Sequence, residues 1–254
     1  MEPADETHND NSFKESSVKK EMFFMPHHAV FKPESSTTKT RVVFDASAKS
    51  STGISLNDTL MTGPVVQQDL LSIVTRFRTH PYVLTADISK MYRQVRIHQH
   101  DYDLQKILWR SSPHEDLKQY HLVTVTYGTS PASFLATRCL AQLAIDEEEN
   151  HPNASQVLKR DFYVDDLLTG CSTIEETIQL QEELQILLER GGFELRKWCS
   201  NNDTILEAIQ SSHQTSKESL TFDKRDHVRA LGLSWNLTHD KFLFDVHVKP
   251  SPTM

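Results

Sequence analysis

An α+β fold is predicted by three features of the sequence. Two strand-like runs, RVVFD at 41–45 and YVLTADI at 82–88, each reach an aspartate at or near their ends. Two short apolar runs flank an Asp165-Asp166 pair at 162–170, the pattern of a hairpin with acids at its tip. Two helical stretches interleave with these strands, so the order is strand, strand, helix, hairpin, helix, strand.

Taken in order, residues 1–21 are polar and charged with almost no core-forming residues, and are expected to be a disordered leader. Folded sequence should begin near Met22. The run at 123–127 alternates apolar and polar residues until Gly128 breaks it and predicts a strand. Ser130 as N-cap and Pro131 in the first turn then open a helix that should reach about Glu148. Ser172-Thr173-Ile174-Glu175 reads as a capping box, and Ile174, Ile178, Leu184, Leu187 and Leu188 keep roughly helical spacing up to Gly191-Gly192. Further short strands are expected at 193–199, 230–235 and 242–248. There is no internal repeat and no glycine-rich linker.

The 254 residues suit one or two domains, at roughly 100–200 residues each. The chain is 37% hydrophobic and 24% charged, which fits a globular protein and excludes collagen-like and low-complexity classes. No run approaches the ~18 apolar residues of a membrane span, so no membrane partner is expected. The polar N-terminal segment has no apolar stretch of the secretory kind. Cys139, Cys171 and Cys199 offer neither a CxxC pair nor an even disulfide framework, which points to a reducing intracellular compartment. The four Asn-x-Ser/Thr matches, at Asn57, Asn153, Asn202 and Asn236, are then chance. His27-His28 lacks a second spaced pair of zinc ligands.

Net charge is -8, which taken alone argues against a nucleic-acid partner. Its distribution is uneven: residues 39–110 hold ten Lys/Arg against six acids, and residues 161–200 hold three against nine. Adjacent acids at a turn are usually solvated. Here Asp165 and Asp166 lie between runs of Tyr, Val and Leu, where clustered negative charge is costly unless a cation binds it. Mg2+, which prefers carboxylate and phosphate oxygens, is the expected compensation.

These residues carry a family resemblance. FYVDDLLTG resembles the Tyr-x-Asp-Asp hairpin of reverse transcriptases, and LTADISKMYRQVRI resembles their first catalytic strand, 78 residues earlier from Asp87 to Asp165. KTRVVFDASAKSSTGISLNDTL is similar to their fingers motif, VTYGTSPASFLATRCL to the aromatic-glycine segment, GGFELRKWCSN to the strand carrying a lysine, and LGLSW to the primer-grip hairpin. With PHHAVFKPESSTTKTRVVFDAS, the wording looks most like BEL/Pao long-terminal-repeat retrotransposons. The resemblance covers about residues 22–248.

It implies a right-hand polymerase with fingers at 22–80, a palm at 81–248 whose antiparallel sheet packs on helices, a remaining fingers segment at about 96–120, and a tail at 249–254. Little follows the primer-grip segment, so the thumb is expected to be absent or vestigial. The implied activity is RNA-directed DNA polymerisation, a nucleotidyl transfer of dNTPs onto a primer 3′-hydroxyl assisted by two Mg2+ ions, for which Mn2+ can substitute. Asp87, Asp165 and Asp166 would hold the metals, with the backbone carbonyl of Ile88. Arg41, with Lys39, would clamp the triphosphate; the plainer reading of Arg41 is a surface salt bridge. Tyr92 would exclude the ribose 2′-hydroxyl, or else is a packed core tyrosine. Tyr127 and Gly128 would floor the nascent pair. Lys197 would protonate or merely neutralise the leaving pyrophosphate. Leu231, Gly232, Leu233, Ser234 and Trp235 would form the primer grip, although Trp198 and Trp235 are expected to pack rather than stack on bases.

Partners implied are an RNA template, a DNA or RNA primer, and the remaining Pol regions (protease, RNase H, integrase), in the cytoplasm and in virus-like particles. The chain has no Asp-Thr-Gly or Asp-Ser-Gly, so a protease reading has no catalytic dyad. Ser133 stands where relatives open the helix with proline, and Pro131 comes two residues early. The competing expectation is a catalytically weak or inactive retroelement remnant acting as a nucleic-acid or protein binding module.

Overall fold

The computed structural model describes residues 22–33, 39–213, 227–230, 233–237 and 239–243. The expected leader at 1–21, the tail at 249–254, and Leu231 and Gly232 lie outside the described residues.

At the centre is a four-stranded antiparallel sheet ordered β6-β7-β3-β8, formed by β3 (Tyr82–Ile88), β6 (Phe162–Tyr163), β7 (Asp166–Cys171) and β8 (Leu195–Ser200). β3 is nearly continuous in apolar residues because both of its faces are covered. Leu84, Ala86 and Ile88 face one core, with Leu167, Leu195 and Trp198. That core is completed by α4 (Ala132–Asp146), α5 (Pro152–Arg160), α6 (Ile174–Arg190) and α7 (Asp203–His213). On α6 the buried positions Thr177, Leu180, Gln181, Leu184, Leu187 and Leu188 form one stripe at helical spacing. Each buried leucine there contributes about 1.5–3 kcal/mol over leaving it in water.

Val83, on the opposite face of β3, joins Leu168, Cys199, Ile73, Phe77 and Trp235 in a second core. Ile73 and Phe77 come from α2 (Leu70–Phe77), capped by the Asp69 side chain on the Ser72 N–H. Trp235 comes from a three-stranded sheet ordered β11-β10-β9, built from β9 (His227–Ala230), β10 (Leu233–Asn236) and β11 (Lys241–Leu243). Its ring meets Phe77 edge-on at 5.2 Å and its Nε1 donates to Asp240 Oδ1 at 2.9 Å.

Two hairpins and short helices complete the chain. β1 (His27–Phe31) pairs with β2 (Thr40–Phe44), and β4 (Lys106–Trp109) with β5 (Lys118–His121). α1 (Leu56–Thr59), α3 (Met91–Gln94) and a 3-10 turn at Gln99–Leu104 connect them.

Four expectations need correction. Residues 123–127 are not a strand: Thr124 makes one isolated antiparallel bridge with Arg96, backed by bonds from Ile97 N to Val123 O and Val125 N to Val95 O. Alternation there has too short a partner to extend into a ladder. Ser130 is not the cap of α4; Pro131 holds that position without a side-chain cap, and the Ser130 N–H donates to Asn57 Oδ1 instead. The capping box of α6 is one residue later, Thr173 with Glu176, since Thr173 has the extended backbone a cap requires. Residues 230–235 are not one strand, because Ala230 ends β9 and Leu233 begins β10, the two paired antiparallel.

Candidate active site

Three aspartates lie at one end of the central sheet. Asp87 on β3 is the register partner of Asp166 at the start of β7, and cross-strand partners project from the same face. This is the face of Val83 and Leu168, on which α2 packs. Asp165 is the second of the two residues joining β6 to β7, where Phe162 pairs with Leu167 and Tyr163 with Asp166. The first, Val164, has φ 56°. Only the first loop residue has positive φ, as in a type II′ hairpin, but a β-branched side chain takes the place glycine usually fills.

The turn is held from three sides. The Ile88 N–H donates to the Asp165 carbonyl at 2.8 Å, joining the turn to β3. The Val164 N–H donates to Gln67 Oε1 at 2.8 Å. At the base of the hairpin, Arg76 Nη1 on α2 reaches Asp161 Oδ1 at 2.7 Å, and Thr169 Oγ1 donates to Asp161 Oδ2 at 2.9 Å. Asp161 is buried, so these donors compensate a charge that would otherwise be costly.

Asp87 has two unlike oxygens. Oδ2 accepts from Lys197 Nζ at 3.0 Å, while Oδ1 is buried with no hydrogen-bond partner among the described residues. Lys197 arrives there through a bulge: Thr85 pairs with Cys199 and Asp87 with Arg196, so Lys197 and Trp198 together oppose Ala86. Lys197 has φ 54°, and this left-handed residue turns its side chain toward Asp87 while Trp198 is buried in the core. Burial, together with the charge of Asp87, holds the Asp165 carboxyl above its ordinary pKa, with the Lys197 charge acting in the other direction.

Hard carboxylate oxygens, including the orphaned Oδ1 of Asp87, are the donor type that suits a hard divalent cation. Among the described residues no group of three or more His, Cys, Asp or Glu is gathered into a ready-made metal site. The positive charge beside Asp87 is the lysine's.

The other sequence-derived candidates lie on several different elements. Arg41 and Lys39 are exposed, on β2 and just before it. Tyr127 Oη donates to the carbonyl of Val42, beside Arg41, at 2.7 Å, and its ring lies 5.3 Å from Phe44. Gly128 has φ 96°, and a Cβ there would stand 2.5 Å from the Phe44 carbonyl oxygen, so both backbone and space require glycine. Its carbonyl accepts from Asn57 Nδ2 at 3.0 Å. Tyr92 on α3 is half-buried at the edge of the main core and shares a 3.2 Å hydrogen bond with Ser133 on α4. Trp235 is packed, as is Trp198, while Leu233 and Ser234 belong to β10 on a sheet that meets α2 through Trp235.

Sequence reasoning missed Gln67, Arg76, Asp161 and Asn57. The apolar spacing at 70, 73, 74 and 77 signals α2, but nothing in the sequence separates Gln67 from Gln68.

No protein-family model and no curated protein sequence matches the chain. Solved structures do. The foamy viral protease-reverse transcriptase in complex with RNA/DNA hybrid aligns over 86% of this chain with a TM-score of 0.55 at 20% identity. Its form in complex with double-stranded DNA, designated dRH, aligns over 85% with 0.55 at 21%. This chain has a reverse-transcriptase-like fold. It spans 24% and 30% of the length of those two chains. Among the described residues no helix is long and apolar enough to cross a membrane.

Proposed function

We propose that this chain is the fingers and palm of an RNA-directed DNA polymerase of the BEL/Pao retrotransposon type, with Asp87, Asp165 and Asp166 as its catalytic carboxylates. The observation that carries this reading is the pairing of Asp87 with Asp166 beside a strained turn presenting Asp165, on a reverse-transcriptase-like fold. Under it, 22–80 and about 96–120 are fingers and the rest of 81–248 is palm.

Asp87, Asp165, Asp166 and the Ile88 carbonyl would hold two Mg2+ ions, or Mn2+ in their place. When bound, the ions supply activation of the primer 3′-hydroxyl and charge stabilisation on the triphosphate. The remaining work is positioning, which this chain's own groups perform. Arg41 and Lys39, both exposed, would clamp dNTP phosphates. Tyr127 and Gly128 support the nascent pair, and Tyr92 bars the 2′-hydroxyl. Lys197, released from Asp87, would protonate or neutralise the leaving pyrophosphate. Template RNA, a primer and the other Pol regions are the proposed partners, in cytoplasmic particles.

A second reading, a remnant that binds nucleic acid or protein without turnover, is favoured by one observation: Lys197 already neutralises Asp87. Primer extension on an RNA template with a DNA primer, Mg2+ and dNTPs at low salt separates the two readings, since low salt favours the duplex contact. Extension by the parent chain and none by Asp165→Asn is expected. No extension by either, with template-primer still bound, supports the second reading.

A further inference from the structure

We propose that Gln67 is a positioning residue for the Val164-Asp165 turn, holding Val164 in its left-handed conformation from outside the hairpin; this rests on reading that turn as the catalytic one. A β-branched residue at φ 56° is strained and persists only where its surroundings over-determine it. The hairpin itself supplies little of that. β6 has two residues and two register pairs, both of which close before the turn.

The Val164 N–H finds its acceptor 97 residues away in the chain, at Gln67 Oε1. Gln67 is half-buried and stands just before α2, whose Asp69 cap fixes the entry to the helix. The same helix grips the base of the hairpin through Arg76 and Asp161 and buries Ile73 and Phe77 against Leu168. Segment 67–76 thus holds the hairpin at both tip and base. Upstream, Gly63 at φ 81° lies against the Phe134 ring, where a Cβ would clash at 2.3 Å, so the approach to Gln67 is seated on α4. Movement at Val164 passes directly to the next residue, Asp165, and through its carbonyl to Ile88, the neighbour of Asp87. The exposed Gln68 makes no such contact among the described residues and serves as the internal control.

The test compares the full chain with Gln67→Met, which keeps length and removes the acceptor, Gln67→Glu, which restores an acceptor, and Gln68→Met. Amide hydrogen exchange at Val164 should accelerate about tenfold in Gln67→Met, the loss of roughly one hydrogen bond, and return to the parental rate in Gln67→Glu. Mn2+ binding to the free chain, followed by its electron paramagnetic resonance signal, should weaken several-fold in Gln67→Met, and kcat for extension should fall with little change in dNTP KM. Gln68→Met should leave all of these unchanged. Equal Val164 exchange in the parent and Gln67→Met would overturn the proposal. If the parent neither binds Mn2+ nor extends a primer, the catalytic reading fails while the exchange comparison still decides whether Gln67 holds the turn.

Discussion

Lys197 Nζ lies 3.0 Å from Asp87 Oδ2, an ammonium supplied by a left-handed residue in a strand bulge to a carboxylate whose other oxygen is buried without a partner among the described residues. This pair is the internal charge compensation of Asp87. It is also a competitor for any cation approaching from outside.

Lys197→Met removes that compensation. With both partners partly exposed, the loss in divalent-free buffer should be modest, about 0.5–1 kcal/mol. Added Mg2+ should restore more stability to the variant than to the parent, read as the difference in Tm with and without the ion. Equal shifts in the two proteins would show that the ammonium and the cation do not share Asp87.

Asp165 sets a pH dependence of definite sign. Its pKa is raised, chiefly by burial, so the folded chain holds the proton more tightly than the unfolded one. Its contribution to stability is complete below the ordinary carboxylate range, near about pH 4, and is lost as pH rises through the raised folded value. Asp165→Asn should therefore melt higher than the parent at neutral pH without divalent ions. The gap should close as the solution is acidified through that range, while extension is abolished at every pH.

Tyr92 separates specificity from packing. Tyr92→Val should raise ribonucleotide incorporation relative to deoxynucleotide, whereas Tyr92→Phe, which loses only the bond to Ser133, should leave the ratio as it was. An unchanged ratio in Tyr92→Val would make the ring a packing element of the core edge.

Gly128→Ala places a methyl 2.5 Å from the Phe44 carbonyl oxygen on a left-handed backbone. A loss of about 1–3 kcal/mol is expected by chemical denaturation, with a raised dNTP KM as Tyr127 moves off Val42. Unaltered stability would mean that β2 yields easily.

Much of the sheet and both acid-bearing elements are legible in the sequence because their signals are local. β3 spans the expected 82–88, and the hairpin forms around Asp165-Asp166. Local signals also mislead by small offsets: Ser172 and Thr173 are each followed three residues later by a glutamate, and only backbone geometry chooses Thr173. At 123–127 the alternation is genuine, but a ladder needs a partner of equal length, and 95–97 is too short. What no local pattern reveals is contact across long separations. Gln67 meets Val164, Arg76 meets Asp161, and Asn57 reaches Gly128, each through one ordinary polar residue.

The bulge in β8 has a consequence for how this chain tolerates length changes. Two residues there stand opposite one, so the ladder between β3 and β8 would be regular with Lys197 deleted rather than replaced. Such a deletion would let the strand pair without interruption, keep Trp198 inside and remove a left-handed lysine. The shortened protein should still fold, losing the ion pair with Asp87 but not the ladder. The extra residue of this ladder is thus the one that reaches Asp87.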